Sequence, residues 1–257
     1  MKNKYLGIIC LLYACIIVYI KFTNILKNFL APNMHKYILF AIIPLVICGI
    51  ILLCSNSNHT KFKVSDLILL LPLILLIIAG NGRLTENIAK NRSSHTKKHV
   101  TFQKETINKE EYDLSNIDFD INDESFLGVV EYLGYSPKAS KYQNKTIKMR
   151  GFVVKDDDAL PKGYFYIGKY AITCCVADSA YLGLMVKYDK SKVKDSSWYE
   201  IEGVLQKGKD KAGNTTMYIE AINIRKIKSS SEEEYVYSCY SYGDGNCSEL
   251  VKYDLEY

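Results

Sequence analysis

Residues 146–154 read TIKMRGFVV, and this stretch decides the fold class. Its apolar residues alternate with polar ones up to Gly151, the period of a strand with one buried face. Gly151 marks a bulge or a bend. Four segments of the same character follow: GYFYIGKYAITCCVA (163–177), LGLMVKY (182–188), WYEIEGVLQKG (198–208) and TTMYIEAINIRKI (215–227). Turn clusters such as DKSKVKDSS and DKAGN separate them. Five short strands close most economically into a small Greek-key barrel of the OB type, with an open β-sandwich as the alternative. Just upstream, Phe126, Val129, Val130 and Leu133 recur at helical spacing behind Asn122 or Asp123, which suit a helix cap. The expected domain is therefore 122–228, an OB-like barrel preceded by a short helix that ends at Gly134, before Pro137.

Before this domain the composition changes. YLGIICLLYACIIVYI lies between Lys4 and Lys21, YILFAIIPLVICGIILLC follows Lys36, and LILLLPLILLIIAGNG fills 67–82. A helix crosses the hydrocarbon core with about 20 apolar residues. Lys4, Lys21 and Lys36 can snorkel to the headgroups, and Pro72 is tolerated inside a membrane helix. Residues 1–84 thus read as a membrane domain with two or three spans, at about 5–22, 37–55 and 66–82. A cleaved signal peptide fits less well, because no A-x-A-like site closes the first run and two more runs follow. With three spans, Lys2, Lys4, Lys61 and Lys63 face eight basic residues on the side of the soluble domain, which places that domain in the cytoplasm. A re-entrant third segment changes the parity.

Residues 85–121 are polar without a sustained period and read as a tether, whose basic half, 90–98, suits anionic headgroups. The tail, 229–257, is acidic, rich in tyrosine and without a packing pattern, so it is expected to be flexible. A net charge of +5, with no basic and aromatic stripe, gives no nucleic-acid footprint.

The eight cysteines do not form a disulfide framework, since Cys10, Cys15, Cys48 and Cys54 fall within the spans as small apolar packing residues. The informative pair is Cys174 and Cys175. On a strand, neighbours point to opposite faces, so one thiol packs in the barrel and the other faces out or into a pocket. A bend after Cys175 would let both sulfurs converge, and Asp178 could add a carboxylate. That set suits a soft metal ion such as zinc or copper. The bland reading is one buried thiol, one incidental thiol and an aspartate opening a turn. No histidine follows His99, and the spacing of Cys239 and Cys247 matches no ligand pattern. Lys169 is the cation nearest the pair in sequence. Asp156 to Asp158 read as a solvated loop, and Trp198 as core filling with Ile201 or Val204. No phosphate-cradling loop, nucleophile elbow or paired histidine motif is present, so an enzyme is not expected.

IGKYAITCCVADSAYLGLMV followed by SSWYEIEGVL, together with FLAPNM, the Leu-Pro of the third apolar run and YQNKTIKMRGFVV, resembles the YcgQ-type family of bacterial membrane proteins. The resemblance runs nearly end to end, and Cys-Cys-x-Ala-Asp is its most specific element. It implies a multi-pass protein of the bacterial cell membrane, the accessory subunit of a two-component complex with a YcgR-type permease, a group related to metalloid permeases. The chain departs from that pattern at Ala31 (His expected), Asn144 (Gly), Lys169 (Arg) and Ser179 (Ala). A membrane-tethered OB chaperone or carrier, similar to the haem chaperones, is the alternative, but it needs a ligand-attaching histidine that this domain lacks.

Overall fold

In a computed structural model the chain forms two units, Met1–Leu84 and Thr85–Tyr257. The structure describes residues 2–23, 26, 29–55, 68, 70–72, 74, 100–101, 112–155, 160, 162–210, 215–228, 235–238, 253 and 255.

In the first unit, the two charge-poor runs become α1 (Lys2–Phe22) and α2 (His35–Cys54). Their crossing depends on small residues: a Cβ on Gly7 would lie 2.9 Å from the Gly49 carbonyl oxygen, and one on Gly49 as close to the Leu11 side chain. Ile8, Leu12, Phe40, Ile43 and Ile47 point outward from the pair. An apolar exterior on helices long enough to cross a bilayer supports membrane association. Cys10 is half-buried, while Cys15, Cys48 and Cys54 are exposed, so these three join the apolar outer surface instead of packing between the helices. The expected segment 66–82 lies largely outside the described residues.

The second unit holds α3 (Asp123–Tyr135) and eight strands: β1 (Val100–Thr101), β2 (Phe119–Asp120), β3 (Thr146–Val154), β4 (Tyr164–Ile172), β5 (Ala180–Lys187), β6 (Trp198–Asp210), β7 (Thr215–Lys226) and β8 (Tyr235–Tyr237). Five of them close a barrel in the cyclic order β3, β4, β5, β7, β6 and back to β3. All pairs are antiparallel except β5 with β7, the arrangement of an OB barrel. β3 pairs with β6 from Thr146 to Phe152 and with β4 from Phe152 onward. Gly151 sits at this change of partner, where a Cβ would come within 2.5 Å of the Gly168 carbonyl oxygen. β3 changes partner there as one continuous strand, whereas the register shift falls elsewhere, at Glu202/Gly203 between β6 and β7.

Asn122 caps α3 by accepting from the Ser125 N–H at 2.9 Å while Ser125 Oγ accepts from the Asn122 N–H at 3.2 Å, a reciprocal box. Phe126, Val129, Val130 and Leu133 are buried with Ile147, Phe165, Leu184, Ile201 and Ile219 in one core. Pro137 ends the α-helix by opening a 3₁₀ turn, Pro137–Tyr142.

Two boundaries differ from the sequence reading. The tether expected over 85–121 contributes β1, antiparallel to β6, and β2, parallel to β3. Asp118 fastens this entry by accepting from the Thr146 N–H and Oγ1, both at 2.8 Å, and from Lys145 Nζ at 2.9 Å. The tail expected to be flexible from 229 contributes β8, whose Tyr235, Val236 and Tyr237 are buried and pair parallel with Tyr170, Ala171 and Ile172. Strands of two or three residues are too short to display a period, which is why alternation did not reveal them. Tyr253 also belongs to the fold, stacking on Phe119 and donating to the Asp120 carbonyl oxygen at 2.6 Å.

β4 and β5 are buried along both faces. Besides the core under α3, a second apolar group joins Phe152, Tyr170, Tyr181, Trp198 and Tyr235, with Tyr181 Oη donating to the Phe152 carbonyl oxygen at 3.0 Å. Trp198 fills this aromatic group, while Ile201 packs in the core beneath α3.

Candidate metal centre

The β4–β5 ladder ends at the pair Ala171 and Ala180, and the chain between them makes the hairpin that carries Cys174, Cys175 and Asp178. β4 stops at Ile172, and the chain bends at Thr173 and Cys174 before Cys175 is extended again, so the expected alternation is broken ahead of the pair. Neither thiol packs in the barrel: Cys174 is exposed and Cys175 half-exposed. This corrects the expectation that one of them would be buried. The anticipated bend is present as a 3₁₀ turn over Val176–Asp178, closed by Asp178 N–H to the Cys175 carbonyl at 3.0 Å and Ser179 N–H to the Val176 carbonyl at 3.2 Å.

That turn folds the carboxylate back over the cysteines. Asp178 Oδ2 accepts from the Cys174 N–H at 2.8 Å and Oδ1 from the Thr173 N–H at 3.3 Å. The Sγ atoms of Cys174 and Cys175 and a carboxylate oxygen of Asp178 lie within 4.8 Å of one another. Two thiolates bound to one tetrahedral ion at 2.3 Å stand about 3.8 Å apart, so the set lies within about 1 Å of ligand spacing. Each carboxylate oxygen has a second lone pair beyond its backbone bond. The aspartate thus holds the turn, as in the bland reading, and still offers a donor.

The electrostatics are those of a thiol held by an anion. Hydrogen bonding to Asp178 and to Cys175 pushes the Cys174 thiol up to about 11. Partial burial pulls the Asp178 carboxyl upward, but the Cys174 thiol and the N–H groups of Cys174, Thr173 and Cys175 outweigh it and leave the group below the usual carboxylate range. Such a thiol is not an activated nucleophile; it becomes a thiolate when a cation takes the place of its proton.

Lys169, the cation nearest in sequence, is engaged elsewhere. Its buried ammonium lies 2.5 Å from Asp123 Oδ1 and over the rings of Phe126 and Trp198. It lines a polar cleft of about 630 Å³ with Asp120, Asp123, Glu124, Lys148 and Arg150. Beside it Glu200, itself buried, takes Arg150 Nε at 2.7 Å and Arg225 at 2.6 Å. The signal missed in the sequence was a lysine at an apolar-period position of β4, which requires a buried counter-charge. Cys239, Cys247 and Asp156 to Asp158 lie outside the described residues.

UPF0703 protein YcgQ of Bacillus subtilis (strain 168) is 25% identical over 124 residues, which are 48% of this chain and 42% of that protein. The chain therefore spans less than half the length of that curated relative. The DUF1980 C-terminal domain family matches residues 94–238, more than half of the chain. Those limits enclose β1, the capped helix, the closed barrel, the cysteine hairpin and β8, so the chain belongs to the DUF1980 C-terminal domain family, in keeping with the YcgQ-type resemblance of its Cys-Cys-x-Ala-Asp run.

Proposed function

We propose that this protein is a multi-pass, non-enzymatic accessory subunit of a permease complex in the bacterial cell membrane, whose barrel presents Cys174, Cys175 and Asp178 as a binding site for a soft or borderline cation such as zinc or copper. One observation carries the reading: a single hairpin gathers two thiols and a carboxylate within 4.8 Å. The donor set is the kind that such ions select. The apolar helix pair supports a membrane anchor, and the YcgQ-type resemblance supports a YcgR-type permease as the partner. On the charge count of the sequence the barrel faces the cytoplasm. Nucleic acid has no place in this reading.

The test is metal content and affinity of the full-length protein in detergent, titrated with zinc and with copper, beside co-purification with the permease. Cys174→Ser and Cys175→Ser are each expected to weaken binding by roughly two orders of magnitude, about 2.7 kcal/mol. Asp178→Asn should weaken it by about one. A protein that binds neither ion and tolerates both serine substitutions defeats the metal reading, and failure to co-purify defeats the complex.

A further inference from the structure

Resting on that reading, we infer that the Cys174, Cys175 and Asp178 site is an open exchange site for zinc, with three donors from this chain and a fourth position taken by water or by a ligand of the molecule that delivers or receives the ion. Structural zinc sites are closed by four protein donors and commonly tie together separate segments, whereas sites that act on a ligand keep a position open. Here all three donors come from one hairpin between β4 and β5. The hairpin is already held by the bonds of Asp178 to Thr173 and Cys174 and by its 3₁₀ turn, so no ion is required to shape it. Among the described residues no further Cys, His, Asp or Glu joins the group. Cys174 and Asp178 stand at the surface, where an incoming ligand can reach a bound ion. The family match ends at residue 238, before Cys239 and Cys247, which lie outside the described residues and are tested below.

The mixed donor set argues for zinc within the proposed ion class. Two sulfurs and one carboxylate oxygen suit a borderline divalent ion, whereas monovalent copper gains little from the carboxylate. Binding breaks the two S–H bonds, forms two S–Zn bonds and one O–Zn bond, and passes two protons to solvent. Transfer reverses this: an incoming donor displaces the water, the chain's donors leave in turn, and both thiols regain protons. No electron changes hands.

Cobalt(II) is the probe for the full-length protein in detergent. At one equivalent it should show tetrahedral d–d bands and thiolate charge-transfer bands. Millimolar imidazole should shift the d–d bands while the cobalt stays bound. Removal of zinc by a chelator should accelerate in proportion to chelator concentration, and Cys239→Ser with Cys247→Ser should change none of this. Bound cobalt whose bands ignore imidazole, a release rate independent of chelator, or loss of binding in the Cys239→Ser, Cys247→Ser protein would each show a closed site and overturn the inference. Absence of any bound cobalt or zinc would instead remove the site itself, and the metal reading with it.

Discussion

The buried ammonium of Lys169 on β4 lies 2.5 Å from the carboxylate of Asp123 in the first turn of α3. This pair fastens the helix N-terminus to the strand that leads into the cysteine hairpin. Lys169 is nearly covered and Asp123 half exposed, so the two partners are unequal: removing the carboxylate strands a buried charge, while removing the amine leaves an aspartate that water can still reach.

Asp123→Asn is accordingly expected to cost about 3 kcal/mol, at the lower end of the range for breaking a buried pair, and Lys169→Met clearly less. Trp198, the only tryptophan, lies in the neighbouring aromatic group and reports unfolding of the second unit by its fluorescence. Equal losses for the two variants would show that the pair is not asymmetric.

Val236 is fully buried in β8, so Val236→Ala should cost about 2 kcal/mol from two lost methyl groups and the space they leave. Ending the chain after Lys228 should cost more, because Tyr235, Tyr237 and the Tyr253 stack on Phe119 go with it. An unchanged melting temperature in the shortened protein would return the tail to the role the composition suggested.

The five barrel strands and the capped helix were legible because each is long enough to show its period and is bounded by turn residues. Residues 146–154 and 198–208 read almost as they fold. β1, β2 and β8 were not legible, since their formation depends on an unpaired edge supplied by a distant strand and not on their own pattern. The three donors of the site were legible as residue types, but their geometry was not. The ladder with β5 ends at Ala171, one residue before β4 itself stops, and the sequence does not mark that end with a glycine or proline, so alternation alone runs on into the cysteines.

Glu200 gives the second unit an acid sensitivity. Burial pulls its carboxyl upward, but hydrogen bonds from Arg150 and Arg225 and the nearby Lys148 charge outweigh this and hold it below the usual range. Because the folded value is depressed, the stabilisation is complete above the unfolded value, near pH 4.3. It is lost as the pH falls from there through the folded value. Urea melts followed by Trp198 should steepen in this window, and Glu200→Gln should flatten that part of the profile while lowering stability at pH 7.

Ser179 is buried beside Asp178, and its hydroxyl makes no hydrogen bond among the described residues. Ser179→Ala should leave the hairpin intact and raise stability by about 1 kcal/mol, the penalty of an unsatisfied hydroxyl. A destabilised variant would mean that the hydroxyl has a partner.

The parallel pairing of β8 with β4 has a consequence for how the molecule is made. The β3 ladder on β4 stops at Gly168, and beyond it β8 takes over as the partner of β4 from Tyr170 to Ile172. Until the ribosome has released the segment after Lys228, the nascent barrel carries a bare strand edge open to pairing with any neighbouring chain. In chain order the covering strand follows all five strands of the barrel. Proteolysis or misfolding near the C-terminus would therefore expose an adhesive edge beside the cysteine hairpin.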